Sequence, residues 1–153
     1  MAIIGLERIK EETIEGIPYL LMIGIDDYLH LSKLNCSVKD VYDLSSLLTK
    51  KYQFEKENTH ILLNSEATRE NIIEAFRLIT SKLGKHDSLL IYFSGHGNLI
   101  DDKNYWVPYE GTKEALTHID NDTILSFIRA METKHVVLIS DSAFADNFML
   151  QTR

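Results

Sequence analysis

The 153-residue sequence predicts an α/β domain: a mostly parallel β-sheet with helices on both faces, stacked as three layers. Two observations carry this expectation. YLLMIGI (19–25), SLLIYFS (88–94) and HVVLIS (135–140) are short runs that are largely apolar, as strands buried on both faces require. Between them lie segments whose apolar residues recur at helical spacing, so strands and helices alternate. The sequence is 44% hydrophobic, enough for one packed core. It shows no repeats or low-complexity linkers, and its only prolines are Pro18 and Pro108.

The elements follow in order. The strand at 19–25 runs into GIDDY (24–28), and Val41, Leu44, Leu47 and Leu48 then mark a first helix. HILL (60–63) predicts a short strand. ATRENIIEAFRLITSKLG opens with Thr68 as N-cap and Glu70 in the first turn, carries the stripe Ile72, Phe76, Ile79 and Leu83, and stops at Gly84. After the strand at 88–94, Asp101-Asp102-Lys103-Asn104 predicts a turn and NYWVPY (104–109) one half of a hairpin, with Tyr105 and Trp106 covering the sheet edge or core. Ile124, Ile128 and Met131 mark a short helix before the last strand. Parallel sheets place their sites at the carboxyl ends of strands, near the switch in strand order. Three such ends, GIDDY (24–28), SGHGN (94–98) and SDSAFAD (140–146), read as polar loops on one rim, which brings His96 within reach of residue 143.

Charge narrows the function. Lys+Arg number 16 against Asp+Glu 23, a net charge of −7, which argues against a nucleic-acid partner and suits a basic substrate. The single cysteine, Cys36, cannot form an internal disulfide, so a reducing cytoplasm is the expected compartment. No run approaches the roughly 18 apolar residues of a membrane span. Glu7, Arg8, Lys10, Glu11 and Glu12 interrupt any signal-peptide core.

Few residues carry chemistry. His96 stands between Gly95 and Gly97 directly after a buried strand, where glycines would let the chain turn and leave the imidazole open to a crevice; a structural and a functional role both remain open. His30, His60, His86, His118 and His135 lack such a setting and read as surface or packing residues. Cys36 precedes a helix stripe without neighbouring glycines, which favours packing over nucleophilic chemistry. Ser140 and Ser142 lack the Gly-flanked elbow of a serine nucleophile. Asp141 and Asp40, on position alone, read as caps or solvated carboxylates. Ala143 has no chemistry to offer. A flavodoxin-like ligand-binding domain would want a Gly-rich phosphate loop at the first strand, where GIDDY instead places carboxylates.

YLLMIGIDDYLHLSKLNCSVKDVYDLSSLL, NSEATRENIIEAF, DSLLIYFSGHG and VVLISDSAFAD resemble, in order and spacing, the large-subunit region of caspase-like cysteine peptidases, in their metacaspase and bacterial branch. The likeness spans about residues 18 to 148, and its most specific part is YFSGHG followed by a strand and DSxF. It implies a caspase-type three-layer sandwich, with an N-terminal extension at 1–17 and the catalytic large subunit at 18–153.

Residue by residue, the resemblance makes His96 the catalytic histidine and residue 143 the seat of the nucleophilic cysteine, where this sequence departs from the family by having Ala143. Asp141 and Asp40 match acidic residues of a pocket that accepts Arg or Lys before the scissile bond. Gly97, with residue 143, would supply backbone N–H groups to the oxyanion; Asp26 and Asp27 would shape the rim, and no third catalytic member is implied. No cofactor is implied, although some members of the family require calcium. Two origins of Ala143 stay open: deliberate inactivation of an Arg-preferring endopeptidase, or a natural pseudoprotease that binds peptides or scaffolds. A terminal Arg153 fits cleavage by a basic-directed protease, with an arbitrary chain boundary as the alternative. The resemblance also implies a small-subunit chain after Arg153 to complete a four-strand half-sheet with an exposed edge, and it suggests a role in bacterial defence.

Overall fold

The computed structural model describes residues 2–3 and 16–143. Its elements are β1 (Ala2–Ile3), β2 (Pro18–Gly24), α1 (Ser37–Lys51), β3 (Thr59–Leu63), α2 (Arg69–Lys82), β4 (Ser88–Ile100), β5 (Lys103–Trp106), β6 (Ile119–Asp120), α3 (Asn121–Ala130) and β7 (His135–Ala143). The main sheet runs β1-β7-β4-β2-β3. Its β7-β4-β2-β3 portion is parallel throughout.

Alternation along β4 explains why helices are needed on both faces. Leu89, Ile91 and Phe93 join the larger core with Ile72, Phe76 and Ile79 of α2 and Ile124 of α3. Tyr92 joins Leu20 and Met22 of β2 and Val41 and Leu48 of α1 in a second cluster. The three-layer α/β sandwich expected from the apolar runs is the observed architecture. The α2 stripe is buried as its spacing predicts, and the Thr68 hydroxyl accepts from Asn71 N at 3.1 Å as the cap.

Three boundaries differ from the sequence expectation. SGHGN does not form a loop: β4 continues through it for 13 residues in all, pairing with β7 up to His96 and with β5 from Gly97 onward. SDSA likewise stays in strand β7 as far as Ala143, while FADNF and the chain end at Arg153 lie outside the described residues. The hairpin turn is tighter than the four-residue stretch suggested: Asp101 and Asp102, at φ 49° and 62°, form a two-residue turn whose left-handed backbone conformation matches the right-handed twist of the flanking strands. Pairing on both sides overrides the weak strand propensity of the glycines. Gly97 serves close approach, since a Cβ there would lie 2.7 Å from the Ser142 Cβ.

The β7 edge is also not wholly bare. Ala2 and Ile3 pair antiparallel with Ser140 and Ile139. Trp106 ties the hairpin to β7, stacking on Phe93 at 4.4 Å and donating its indole N–H to Ser140 Oγ at 3.0 Å.

Phe76 lies between Phe127, at 5.4 Å, and Trp106, at 6.4 Å between ring centroids, and is fully buried. Replacing it with Ala should cost about 3–5 kcal/mol of unfolding free energy, read by urea denaturation, because the cavity lies between two layers that cannot both collapse.

Candidate active site

One edge of β4 changes partner at His96. Ser94 O accepts from Ile25 N at 3.0 Å on the β2 side, and His96 O accepts from Val107 N at 3.0 Å beyond β5. Even-numbered backbone groups therefore point toward β2 and β5. Gly95 and Gly97 turn their N–H groups the other way, toward β7. On that side, β7 runs parallel with Ser94 opposite Asp141, Gly95 opposite Ser142 and His96 opposite Ala143.

The His96 ring is not open to a crevice as its flanking glycines suggested; the residue is only 2% exposed. Tyr28 packs at 4.7 Å between ring centroids. His96 Nε2 lies 2.9 Å from the Ser32 carbonyl oxygen, which can only accept, so Nε2 carries the proton and the neutral ring has its basic lone pair on Nδ1. Burial lowers the His96 pKa, and the Ser32 bond partly opposes this by favouring the imidazolium.

Ser32 belongs to the loop between β2 and α1, which is held at several points. Leu29 N donates to Tyr109 O at 3.0 Å and Leu34 N to Asp26 O at 2.9 Å. Asp26 caps α1 from outside the helix, its carboxylate accepting from Ser37 N at 2.9 Å and Val38 N at 3.1 Å. Asn64, in the left-handed region at φ 47°, accepts from the N–H groups of Asp26 and Asp27 through its Oδ1. The Asp27 side chain is exposed and pairs with Lys33 at 2.9 Å.

Asp141 is exposed, and Asp40, in the first turn of α1, is half-buried. Both act on the Tyr92 hydroxyl, whose pKa is raised first by burial and then by these two negative charges, with a Ser94 bond opposing. Both carboxylates thus bear on the buried Tyr92 phenol of β4. The remaining candidates fall elsewhere. Cys36 does not pack in the core but stands exposed at the N-cap position of α1. The Ser140 hydroxyl is engaged by Trp106, and Ser142 sits against Gly97. His118 is buried with Nε2 2.7 Å from Thr112 O; His60 is half-buried, and His30, His86 and His135 are exposed. Tyr28 and the Ser32 carbonyl escaped the sequence reading; the aromatic in GIDDY was the one available sign of the first, and no side-chain pattern marks the second.

Among the described residues, no group of three or more His, Cys, Asp or Glu is placed to hold a metal ion, and no helix is long and apolar enough to cross a membrane.

A family profile described as metacaspase, peptidase C14 domain, matches residues 20–149. The chain belongs to this metacaspase family. Metacaspase-1 of Pyricularia oryzae is 32% identical over 88 residues, covering 54% of this chain and 22% of its own length. Metacaspase-1 of Schizosaccharomyces pombe is 29% identical over 104 residues, covering 64% and 24%. This metacaspase domain therefore spans about a quarter of the length of these relatives. A solved structure of a Geobacter sulfurreducens protein shares the fold at a TM-score of 0.65 and 20% identity, covering 81% of this chain and 48% of that one.

Two stability predictions follow from the site. Asp26→Ala should destabilise the domain by about 1–2 kcal/mol, read by chemical denaturation, because two helix N–H groups lose their acceptor. The pKa values of His60, His96 and His118 are all lowered, in each case first by burial. The unfolded chain therefore binds protons more readily, and the stability these neutral rings carry is present above about pH 6.5 and lost as pH falls through their folded values. Denaturation midpoints should fall from pH 7 toward pH 5, and His118→Gln should flatten part of that slope.

Proposed function

We propose that this metacaspase domain is the large-subunit region of a cysteine endopeptidase that cleaves after basic residues, Arg preferred, with Ala143 standing where its nucleophile belongs. The observation that most supports this reading is the register of two neighbouring parallel strands, which pairs His96 with residue 143 in a chain of the C14 peptidase family.

The chemistry follows from the geometry around β4. A thiol at 143 would give its proton to His96 Nδ1 and attack the peptide carbonyl, with Nε2–H held by the Ser32 carbonyl as the ring becomes cationic. The N–H groups of Gly97 and residue 143 would take the oxyanion, a contribution of a few kcal/mol. The imidazolium would then protonate the leaving amine, and a water deprotonated by the neutral ring would hydrolyse the thioester. Asp141 and Asp40 would hold the substrate's guanidinium or ammonium. A small-subunit chain continuing beyond Arg153 would complete the enzyme.

With alanine at 143 there is no thiol to attack, so turnover should fall by several orders of magnitude while peptide binding persists. Ala143 is also the observation that favours a second reading, a pseudoprotease that binds basic peptides without cutting them.

Ala143→Cys, prepared with the chain that follows Arg153, should cleave peptides after Arg and Lys. Absence of cleavage after Arg, Lys or Asp would overturn the endopeptidase reading, and cleavage only after Asp would overturn the pocket assignment. In that background Asp141→Asn should lower kcat/KM for Arg peptides by roughly 10- to 100-fold, since one of the two carboxylates that would bind the cation is neutralised.

A further inference from the structure

We infer that Tyr28 is a positioning residue for His96, its hydroxyl bridging the backbone where one edge of β4 passes from β2 to β5. The inference rests on the reading of His96 as the general base. At this changeover the His96 N–H donates to Tyr28 Oη at 2.7 Å, and Tyr28 Oη donates to Val107 O at 3.1 Å. One phenol thus accepts from a buried donor and donates to a carbonyl beyond β5, and so fixes the backbone from which the imidazole projects. The Tyr28 ring, 9% exposed, packs at 4.7 Å from the His96 ring, so backbone and side chain are held by the same residue.

The same contact explains the first glycine of GHG. A Cβ on Gly95 would lie 2.5 Å from Tyr28 Oη, so any side chain there would expel the hydroxyl. Gly95 admits Tyr28, as Gly97 admits Ser142. Burial drives the phenol's pKa well above its ordinary value and keeps it a neutral donor and acceptor across the working range. Tyr28 and Ser32 lie on one loop, so the segment that holds the His96 amide also supplies the carbonyl for Nε2.

The test is Tyr28→Phe, which keeps the ring and removes the hydroxyl. In the protein with Ala143, solvent exchange of the His96 and His118 ring N–H protons is followed by NMR. His118 is the internal control, because its Nε2 makes the same kind of bond, to Thr112 O rather than to the loop that carries Tyr28. Positioning by Tyr28 predicts at least tenfold faster exchange at His96 with His118 unchanged. No change at either ring overturns the proposal. Equal acceleration at both overturns it too, since that is general loosening. In the Ala143→Cys protein, Tyr28→Phe should lower kcat roughly tenfold or more with KM little changed; an effect on KM alone counts against positioning. If His96 responds in the NMR experiment while Ala143→Cys never cleaves, the peptidase reading fails and the positioning role stands.

Discussion

The edge of β4 must satisfy its backbone hydrogen bonds while exchanging a parallel neighbour for an antiparallel one, and the rest of the site is arranged around that requirement. Parallel and antiparallel ladders place their bonds differently, so the two patterns cannot meet without a break. Here the break falls at His96, between the rung to Ile25 and the rung to Val107. A side-chain hydroxyl bridges it. The opposite edge remains regular, which keeps β7 in register through residue 143. The histidine is thus attached to an irregular edge and aligned by a regular one.

The loop between β2 and α1 links this break to the acidic side of the site. Asp26 fixes the start of α1, and the first turn of that helix carries Asp40. The same loop delivers Tyr28 and the Ser32 carbonyl to His96. Asn64 anchors its beginning from the end of β3, using a left-handed backbone that asparagine tolerates better than most residues. His96 and Asp40 therefore share one frame of reference, although they lie on different secondary elements.

Much of the fold could be read from patterning because its cause is local. The buried strands lack polar alternation, and Ile72, Phe76, Ile79 and Leu83 repeat at helical spacing, so both announce themselves within a short window. The continuation of β4 through SGHGN could not be read this way: the glycines are strand residues only because β7 and β5 flank them. His96, Asp141 and residue 143 stood out as candidates through motif resemblance, and the neighbouring strand ends of His96 and residue 143 through the logic of parallel sheets. Tyr28 was not, because its role depends on a partner change on a strand far along the chain. The Ser32 carbonyl is a backbone group, and no residue type encodes it. The burial of His96 reversed the expectation of an open imidazole, since the space left by Gly95 is filled by Tyr28.

β7 is the last of the described elements in chain order, yet it lies beside β4, at the middle of the main sheet's path. A chain emerging amino end first exposes β2, α1, β3, α2 and β4 well before the strand that bears residue 143. The layers that hold His96 and carry Asp40 can therefore begin to pack while the strand paired with His96 has yet to be made. Synthesis order thus imposes a delay: the frame around His96 is made first, and the strand that pairs with it comes last among the described elements.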